Sequence, residues 1–468
     1  MRVVILGAGA VGTQIAKQLV EEKKDVVLIE KDPEQARLAS NRLDCMVINK
    51  EGNNVETLRD AGMATADVFI AVTNSDEMNM ISCALVEHEF SVPFKIARVR
   101  SLDYANSAAA ERGFLGIDYI VNPEIVAAQT IIRTIEHGAV SDIMLFEQSN
   151  AQMRHLTVDP GSPMADKNLN DIARSMGIRF LVAVVLRDNE FIIPSGGTVI
   201  NAGDILYVVA TEDNFDRLYE RMGKRKMELR RVVIVGGGKI GSMVASYLLE
   251  DQKKESGVVR RLVSMLARER KRSVKVVERD YARCKELSQE IPGALVINAD
   301  ISDEGVFEEE HFANSDLVIA ATGNQELNIV TAVYAKTLGI KRTVSLVTKT
   351  NYIRVASQLG VDVPVSVKNS MVNSILKLVR RGNVRSVHSI PEGDLEVLEI
   401  SVDPGSEADG KSIGDMKLPQ GALIVSVLRN EETFVPDGTY LVRGGDHVIV
   451  IARLESIERI QTLFTAAP

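Results

Sequence analysis

The chain has 468 residues, of which 45% are hydrophobic and 25% charged, with no Trp and a formal net charge of -9 at pH 7. This length is enough for several domains of ordinary size, each with its own core. The negative balance argues against a general affinity for nucleic-acid backbone or anionic lipid. Cys45, Cys83 and Cys284 are scattered without CxxC spacing, which argues against a disulfide framework or a zinc site.

A targeting or membrane segment is not expected. The first predicted strand follows Met1 almost at once and leaves no room for a signal peptide. No uncharged apolar run approaches the roughly 18 residues of a membrane-spanning helix. We therefore expect a cytoplasmic chain that acts on membranes only through a partner.

From Met1 to about Ile135, predicted strands alternate with predicted helices, which is typical of a doubly wound parallel sheet. The strands are predicted at 2–6, 26–30, 45–48, 67–72, 94–99 and 118–121, and the helices at 11–21, 33–41, 54–61, 76–89, 103–111 and 123–137. Short β-rich runs follow, separated by turn sequences such as PSGGT. They predict a small α+β module.

This order then repeats. VVILGAGAVG at 3–12 returns as VVIVGGGKIG at 232–241, and LTVDPGSPMADKNLNDI returns as ISVDPGSEADGKSIGDM. A whole two-domain unit is therefore duplicated. We predict an α/β chain of two tandem Rossmann-like domains, each followed by a small α+β C-terminal subdomain, with boundaries at 1–137, 140–222, 230–382 and 385–468.

One segment interrupts the repeat. Residues 252–273 of the second Rossmann-like domain contain many Lys and Arg residues among a few apolar ones and have no counterpart in the first copy. Two interpretations remain open: a solvated surface insertion, or a basic amphipathic helix that contacts acidic lipid headgroups or a partner.

Each copy also carries a nucleotide-binding pattern. GxGxxG follows a strand and opens a helix, and a glutamate ends the next strand, where it could accept hydrogen bonds from ribose hydroxyls and repel a 2'-phosphate. This arrangement favours NAD or an adenine nucleotide over NADP. The first-copy candidates are Gly7, Gly9, Ala10, Val11, Gly12, Glu30, Thr73, Asn74 and Arg98, and the second-copy candidates are Gly236, Gly238, Lys239, Ile240, Gly241, Glu278 and Asp300.

The two copies differ where a phosphate is expected. Arg98, just after the Ile96 strand residue, could reach phosphates with its guanidinium, but Leu346 stands at the equivalent position. Thr348 likewise replaces Arg100, and the second copy has Asp300 where the first has the stretch from Lys50 to Gly52. We expect the two sites to differ in ligand or affinity.

Catalytic machinery is not evident. The six histidines lie outside recognisable motifs, and HExxH is absent from the sequence. Two nucleotide domains without a substrate domain favour a sensor over an enzyme, with neither catalytic nor metal-ligating residues. The alternative of an NAD-dependent oxidoreductase with an unknown substrate stays open.

The repeated order of GAGAVG, Glu30, AGMATADVFIAVTNSDEMNMI, IARVR and the VDPG and GGDHVIVIA module resembles the TrkA family over nearly the whole chain. These proteins are the peripheral regulatory subunits of Trk-type potassium uptake systems. The resemblance implies a homo-oligomeric, tetrameric cytosolic ring beneath a TrkH- or TrkG-like potassium-translocating subunit, with NAD(H) and ATP or ADP as ligands. It also adds Thr322 to the second site. A gating ring for a different transporter is a further alternative.

Overall fold

The computed structural model describes residues 1–101, 104, 114–136, 144–145, 151–188, 190–222, 229–254, 272–303, 305–379, 384–389, 395–419, 421–430, 432–434 and 436–466. The predicted helix 103–111 and most of the basic insertion 252–273 lie outside these residues. Within them, no helix combines the length and apolar content needed to cross a bilayer.

The first half opens with a six-stranded parallel sheet in the order β3-β2-β1-β4-β5-β6. Its strands are Arg2–Leu6, Asp25–Ile29, Met46–Ile48, Val68–Ala71, Phe94–Arg98 and Tyr119–Val121 (β1 to β6). This order is that of the doubly wound dinucleotide-binding sheet. The central strands read as continuous apolar runs because both faces are covered by helices.

The second half builds the same sheet again, with strands in the equivalent order β16-β15-β14-β17-β18-β19. Its strands are Arg231–Val235, Ser273–Glu278, Leu295–Asn298, Leu317–Ala320, Arg342–Val347 and Val363–Ser366 (β14 to β19). The register repeats as well, since Ala71 pairs with Ala97 in the first sheet and Ala320 pairs with Ser345 in the second. Arg98 and Leu346 therefore occupy the same position.

A smaller antiparallel sheet follows each parallel sheet, in the orders β11-β10-β13-β8-β7 and β20-β21-β24-β22-β23. The strands of the first module are Met144–Leu145, Ala151–Thr157, Lys167–Asn168, Leu181–Arg187, Glu190–Ile192, Val199–Ile200 and Ile205–Thr211 (β7 to β13). Those of the second are Val384–Ser389, Leu395–Ser401, Leu423–Arg429, Glu432–Phe434 and His447–Arg453 (β20 to β24). The fold class predicted from the sequence is confirmed.

Fourteen α-helices can be assigned within the described residues. In the first half they are Ala10–Glu21, Pro33–Arg42, Val55–Asp60, Asp76–Glu89, Pro123–Glu136, Leu169–Met176 and Glu212–Arg221 (α1 to α7). In the second half they are Lys239–Lys254, Tyr281–Glu290, Val306–Glu309, Gln325–Thr337, Asn351–Gln358, Val367–Val379 and Ile457–Phe464 (α8 to α14).

Contacts divide the chain by type of sheet and not by sequence repeat. One compact unit contains both parallel sheets and the other contains both antiparallel sheets. In the first unit, α5 buries Ala127, Ala128 and Ile131 in the core of the second copy, beside Val244 of α8. In the second unit, the two antiparallel sheets share one apolar cluster that includes Val184 and Ile449. The four boundaries given by the sequence stay a prediction.

Candidate functional site

The first glycine turn joins β1 to α1 and leaves room for a ligand. Gly7 adopts φ +106°, and a Cβ at Gly12 would lie 1.9 Å from the Gly7 carbonyl oxygen. Only glycine fits these two positions without strain. A Cβ at Gly9 would meet no described atom within 4 Å. The turn is therefore closely packed at Gly7 and Gly12 and open at Gly9. The open side lies beside the partial positive charge of the α1 N-terminus.

The second glycine turn, between β14 and α8, repeats this geometry. Gly236 adopts φ +104°, and a Cβ at Gly241 would lie 2.0 Å from the Gly236 carbonyl oxygen. Space beside Gly238 is again open among the described residues. Both copies thus present a helix N-terminus to an anionic ligand.

Glu30 and Glu278 hold equivalent positions after the second strand of each sheet. Glu30 accepts hydrogen bonds from the backbone N–H groups of Ala8 at 2.6 Å and Asp32 at 3.0 Å. Glu278 accepts them from Gly237 at 2.8 Å and Asp280 at 2.9 Å. Each carboxylate is thereby fixed against its own glycine turn, at the place where a Rossmann domain binds ribose.

Asn49 and Asn298 position these glutamates, and the sequence analysis did not single them out. The Asn49 side-chain amide donates to the carbonyl oxygens of Glu30 at 2.8 Å and Lys31 at 3.1 Å. The Asn298 side-chain amide donates to the carbonyl oxygens of Glu278 at 3.0 Å and Arg279 at 2.9 Å. Their repetition after the third strand of both copies was a signal available in the sequence.

Thr73 and Thr322 follow the fourth strands and are held by buried asparagines. The Asn79 side-chain oxygen accepts from the Thr73 backbone N–H at 2.8 Å and from its hydroxyl at 2.7 Å. Asn328 accepts the same two bonds from Thr322 at 2.9 and 2.6 Å. These bonds fix the turn that faces the carboxyl ends of the strands, where ligands of open α/β sheets bind.

Arg98 brings a half-buried positive charge to the same edge of the first sheet. Its Nη1 makes long contacts of 3.4 Å to the carbonyl oxygen of Thr73 and to Asn74 Oδ1, and its buried Nε has no hydrogen-bond partner among the described residues. Burial, followed by repulsion from Arg100, lowers the pKa of Arg98. An incompletely paired guanidinium in this position suits a phosphate group.

The second copy keeps the backbone geometry of this region but has neutral residues in place of Asp76, Arg98 and Arg100. In the first copy, Asp76 Oδ2 accepts from the N–H groups of Arg100 at 2.9 Å and Ser101 at 2.8 Å. In the second copy, Gln325 Oε1 accepts from those of Thr348 and Lys349, both at 3.1 Å. The Gln325 amide oxygen therefore accepts the hydrogen bonds that the Asp76 carboxylate accepts in the first copy.

The positions equivalent to Arg98 and Arg100 are neutral as well. The Leu346 side chain is buried where Arg98 stands, and the Thr348 hydroxyl donates to Gln325 Oε1 at 2.7 Å where Arg100 stands. The first copy presents two guanidinium groups to a ligand here, and the second presents none. The predicted difference in ligand or affinity between the two sites stays a prediction, and the loss of these guanidinium groups is its physical reason.

Lys239, predicted as a binding residue of the second site, contacts the first copy with its side chain. Its Nζ donates to the carbonyl oxygen of Arg100 at 3.3 Å. Ile240 is buried in the apolar core and offers a ligand only its backbone. Ala10 and Val11 stand at the same positions in the first copy, and Ala10 is exposed.

Asp300 lies after β16 and is held by its neighbour Ser302, whose backbone N–H and hydroxyl both donate to Oδ1. These hydrogen bonds lower the pKa of Asp300. In the first copy, Lys50 Nζ instead pairs with Asp60 Oδ2 at 2.8 Å. No cluster of His, Cys, Asp and Glu able to hold a metal ion exists in the described part of the chain.

Fold and site together define a protein with two tandem Rossmann-type nucleotide-binding domains, each coupled to an antiparallel module. The TrkA-N domain matches residues 3–123 and 256–367, and the TrkA-C domain matches residues 153–223 and 397–465. The chain is 31% identical to the Trk system potassium uptake protein TrkA of Halomonas elongata over 98% of each chain. The chain belongs to the TrkA family.

Further relatives show the same full-length similarity. A TrkA homolog of Archaeoglobus fulgidus is 31% identical over 99% of this chain and 100% of its own length. TrkA homolog 1 of Methanosarcina mazei is 29% identical over 99% of this chain and 100% of its own. The family resemblance seen in the sequence is thus confirmed.

Solved structures show the same fold at low sequence identity. The GsuK channel bound to NAD covers 99% of this chain and 78% of its own, with a TM-score of 0.55 and 18% identity. The GsuK RCK domain covers 99% of this chain and 94% of its own, with a TM-score of 0.55 and 17% identity. At this level of identity the likeness concerns the fold alone.

Proposed function

We propose that this protein is the cytosolic nucleotide-sensing regulatory subunit of a Trk-type potassium uptake system. In this function NAD(H), ATP and ADP bind at the two glycine turns and alter the opening of a TrkH- or TrkG-like potassium-translocating subunit. The protein would lie at the inner face of the cell membrane and would catalyse no reaction. The full-length similarity to proteins named as Trk potassium uptake components supports this role.

The observation that carries the nucleotide assignment is the geometry around the first glycine turn. The Glu30 carboxylate is fixed on one side of the turn by the Ala8 N–H. Arg98 ends β5, which is separated from β1 by one strand, β4. A ribose hydroxyl suits a carboxylate, and a pyrophosphate suits a helix N-terminus with a guanidinium nearby. These groups stand at the carboxyl ends of the strands in the order that a dinucleotide requires.

Ligand binding changes a gate only through a difference in affinity between two conformations. A tenfold preference at one site corresponds to about 1.4 kcal/mol, so a few equivalent sites supply enough free energy to shift a two-state equilibrium. Because only the first copy has Arg98 and Arg100, we propose that this copy discriminates between ligands by phosphate charge. The second copy, with Leu346 and Thr348 at these positions, then binds with less dependence on charge.

Assembly into a ring, which we propose to be a tetramer, has support from apolar side chains exposed at matching positions of both copies. Ile81 on α4 is 53% exposed, and Val330 at the equivalent position of α11 is 64% exposed. Leu115 and Leu359 are likewise 40% and 54% exposed. Repetition of exposed apolar groups at equivalent positions fits contacts with further copies of the chain.

The decisive experiment is calorimetric titration of the purified full chain with NADH, NAD, ATP and ADP. We expect saturable binding at two non-equivalent sites. Arg98→Leu, which installs the residue of the second copy, should weaken binding of ATP to the first site at least tenfold, equivalent to about 1.4 kcal/mol. Leu346→Ala is the matched control and should leave the first site unchanged.

Potassium flux through a co-reconstituted membrane subunit then tests the regulatory role. We expect flux to depend on the nucleotide present and to lose that dependence in the Arg98→Leu variant. Absence of nucleotide binding would refute the sensor. Steady NADH turnover with a carbonyl substrate would favour the oxidoreductase, and co-purification with a different transporter would favour another gating ring.

A further inference from the structure

The second Rossmann-like domain contains a cavity at the edge of its sheet opposite the glycine turn. Arg231 begins β14 and Ser273 begins β15, so the cavity lies at the amino ends of the strands. Its volume is about 200 Å³, and its lining comprises Arg231, Val232, Val233, Ser273, Lys275, His311, Asn314 and Ser315. None of these residues belongs to the nucleotide-binding pattern.

The first copy fills the equivalent space with an arginine. Arg2 and Arg231 correspond, because each backbone N–H donates to an aspartate, Asp67 or Asp316, at 2.6 and 2.9 Å. In the first copy, a Cβ at Gly62 would lie 2.5 Å from Arg2 Nη2, so the guanidinium lies directly over that glycine. The lack of a side chain at Gly62 makes this packing possible.

His311 replaces this glycine in the second copy and changes the packing. It keeps a left-handed backbone with φ +55°, close to the +72° of Gly62. Its Cβ occupies the space that the arginine takes in the first copy, and Arg231 Nη2 contacts Asp316 Oδ1 at 3.3 Å instead. This left-handed conformation strains a histidine, and a glycine would avoid the strain.

A second replacement brings a cation into the cavity. Lys275 stands on β15 where the first copy has Val27 on β2, and its Nζ donates to the Glu310 carbonyl oxygen at 2.6 Å. It also lies 3.8 Å from a Glu310 carboxylate oxygen and 5.3 Å from the centre of the Phe312 ring. The ammonium group is thus held in place beside the open space.

The remaining polar side chains of the lining are available to a ligand. Within the described residues, the side chains of Ser273, His311, Asn314 and Ser315 make no hydrogen bond. Asp316 and Glu310 offset part of the positive charge of Arg231 and Lys275. The cavity therefore offers several neutral donors, two cations and the His311 imidazole.

We propose that this cavity binds a small oxyanion, the phosphate or carboxylate group of a compact metabolite. Lys275 and Arg231 supply the attraction, and His311 with the neighbouring hydroxyl and amide groups supplies directional hydrogen bonds. The strained histidine keeps the cavity open. This site is separate from the nucleotide sites, and in the first copy the Arg2 guanidinium lies over the equivalent position, Gly62.

The test is a titration of the full chain with inorganic phosphate, and in a second arm with acetate, at constant ionic strength and saturating NAD. The reporters are the methyl NMR signals of Val232 and Val233, with those of Val3 and Val4 in the first copy as internal controls. We expect saturating shifts of the Val232 and Val233 signals only. A stronger response to phosphate than to acetate identifies the phosphate class.

Two variants install the residues that the first copy has at the equivalent positions, where they are compatible with the same fold. Lys275→Val and His311→Gly should each weaken phosphate binding at least fivefold, whereas Lys24→Ser, which removes a cation at the matching edge of the first sheet, should have no effect. Shifts that never saturate, or that persist unchanged in both variants, overturn the proposal. Nucleotide titrations of the same variants keep this result distinct from failure of the proposed function.

Discussion

The Asn79 side-chain amide donates to the backbone carbonyl oxygen of Arg98 at 2.8 Å. This bond connects the fully buried asparagine on α4 to the last residue of β5, and the other side-chain contacts of Asn79 fix Thr73. The buried Asn79 side chain thus fixes both the turn after β4 and the position of Arg98, the residue proposed to bind phosphate. Asn328 makes the equivalent bond to Leu346 at 2.9 Å.

Asn79→Ala should destabilise the first Rossmann-like domain and weaken its ligand site. The change leaves the Thr73 N–H and the Arg98 carbonyl oxygen buried without this partner, at a cost of about 2 kcal/mol or more. The measurement is the urea unfolding midpoint together with calorimetric affinity. Asn328→Ala should lower stability similarly but leave the first ligand site intact. Equal loss of nucleotide affinity at the first site in both variants would contradict the assignment of Asn79, and not Asn328, to that site.

Gly12→Ala and Gly9→Ala should separate folding from binding. A Cβ at Gly12 would overlap the Gly7 carbonyl oxygen at 1.9 Å, whereas one at Gly9 would meet no described atom within 4 Å. We expect Gly12→Ala to cost more than about 3 kcal/mol, at the upper end for ordinary substitutions. Gly9→Ala should keep the wild-type thermal unfolding temperature and lose nucleotide affinity, since the methyl group occupies ligand space. A Gly9→Ala variant with unchanged affinity would place the ligand elsewhere.

Ile81→Asp combined with Val330→Asp should disrupt self-association. Both side chains are exposed and apolar, so a carboxylate there costs the folded monomer little but opposes burial at an interface. Light scattering after size exclusion should show a smaller particle. Tyr281→Asp provides the control, because Tyr281 is 63% exposed but corresponds to Pro33 in the first copy, so its exposed ring is not repeated. The proposed interface would be wrong if all three proteins kept one mass.

Asp204→Asn should remove a buried ion pair and flatten the response of stability to acid. Arg187 Nε and Nη2 donate to Asp204 at 2.8 and 2.7 Å. Burial opposes ionisation of this carboxyl, but the bonds from Arg187 and Asn201 outweigh it, so its pKa lies below the usual value. Breaking such a pair typically costs about 3–5 kcal/mol.

The direction of the acid effect follows from that lowered pKa. The stabilisation is complete above the unfolded pKa of about 3.9 and is lost as the pH falls through the lower folded pKa. Urea unfolding between pH 3 and 7 should show a shallower slope for Asp204→Asn than for the wild type at the acid end. Asp188→Asn, at an exposed position of the same module, should behave like the wild type.

The local parts of this molecule were predictable because their signals are local. An apolar strand, a glycine turn and an amphipathic helix each follow from residues close together in the chain, so both Rossmann-like sheets and their order could be inferred from the repeated pattern. The loss of Arg98 and Arg100 in the second copy could likewise be read by aligning the two halves.

The sequence by itself determined the duplicated α/β architecture, the two glycine turns with Glu30 and Glu278, and the family. Only the tertiary structure decided that α5 buries its apolar face in the second copy and that Lys239 contacts Arg100. It alone decided that His311 displaces an arginine and opens a cavity. Periodicity identifies which face of an element is apolar, but its partner depends on packing between residues far apart in the chain.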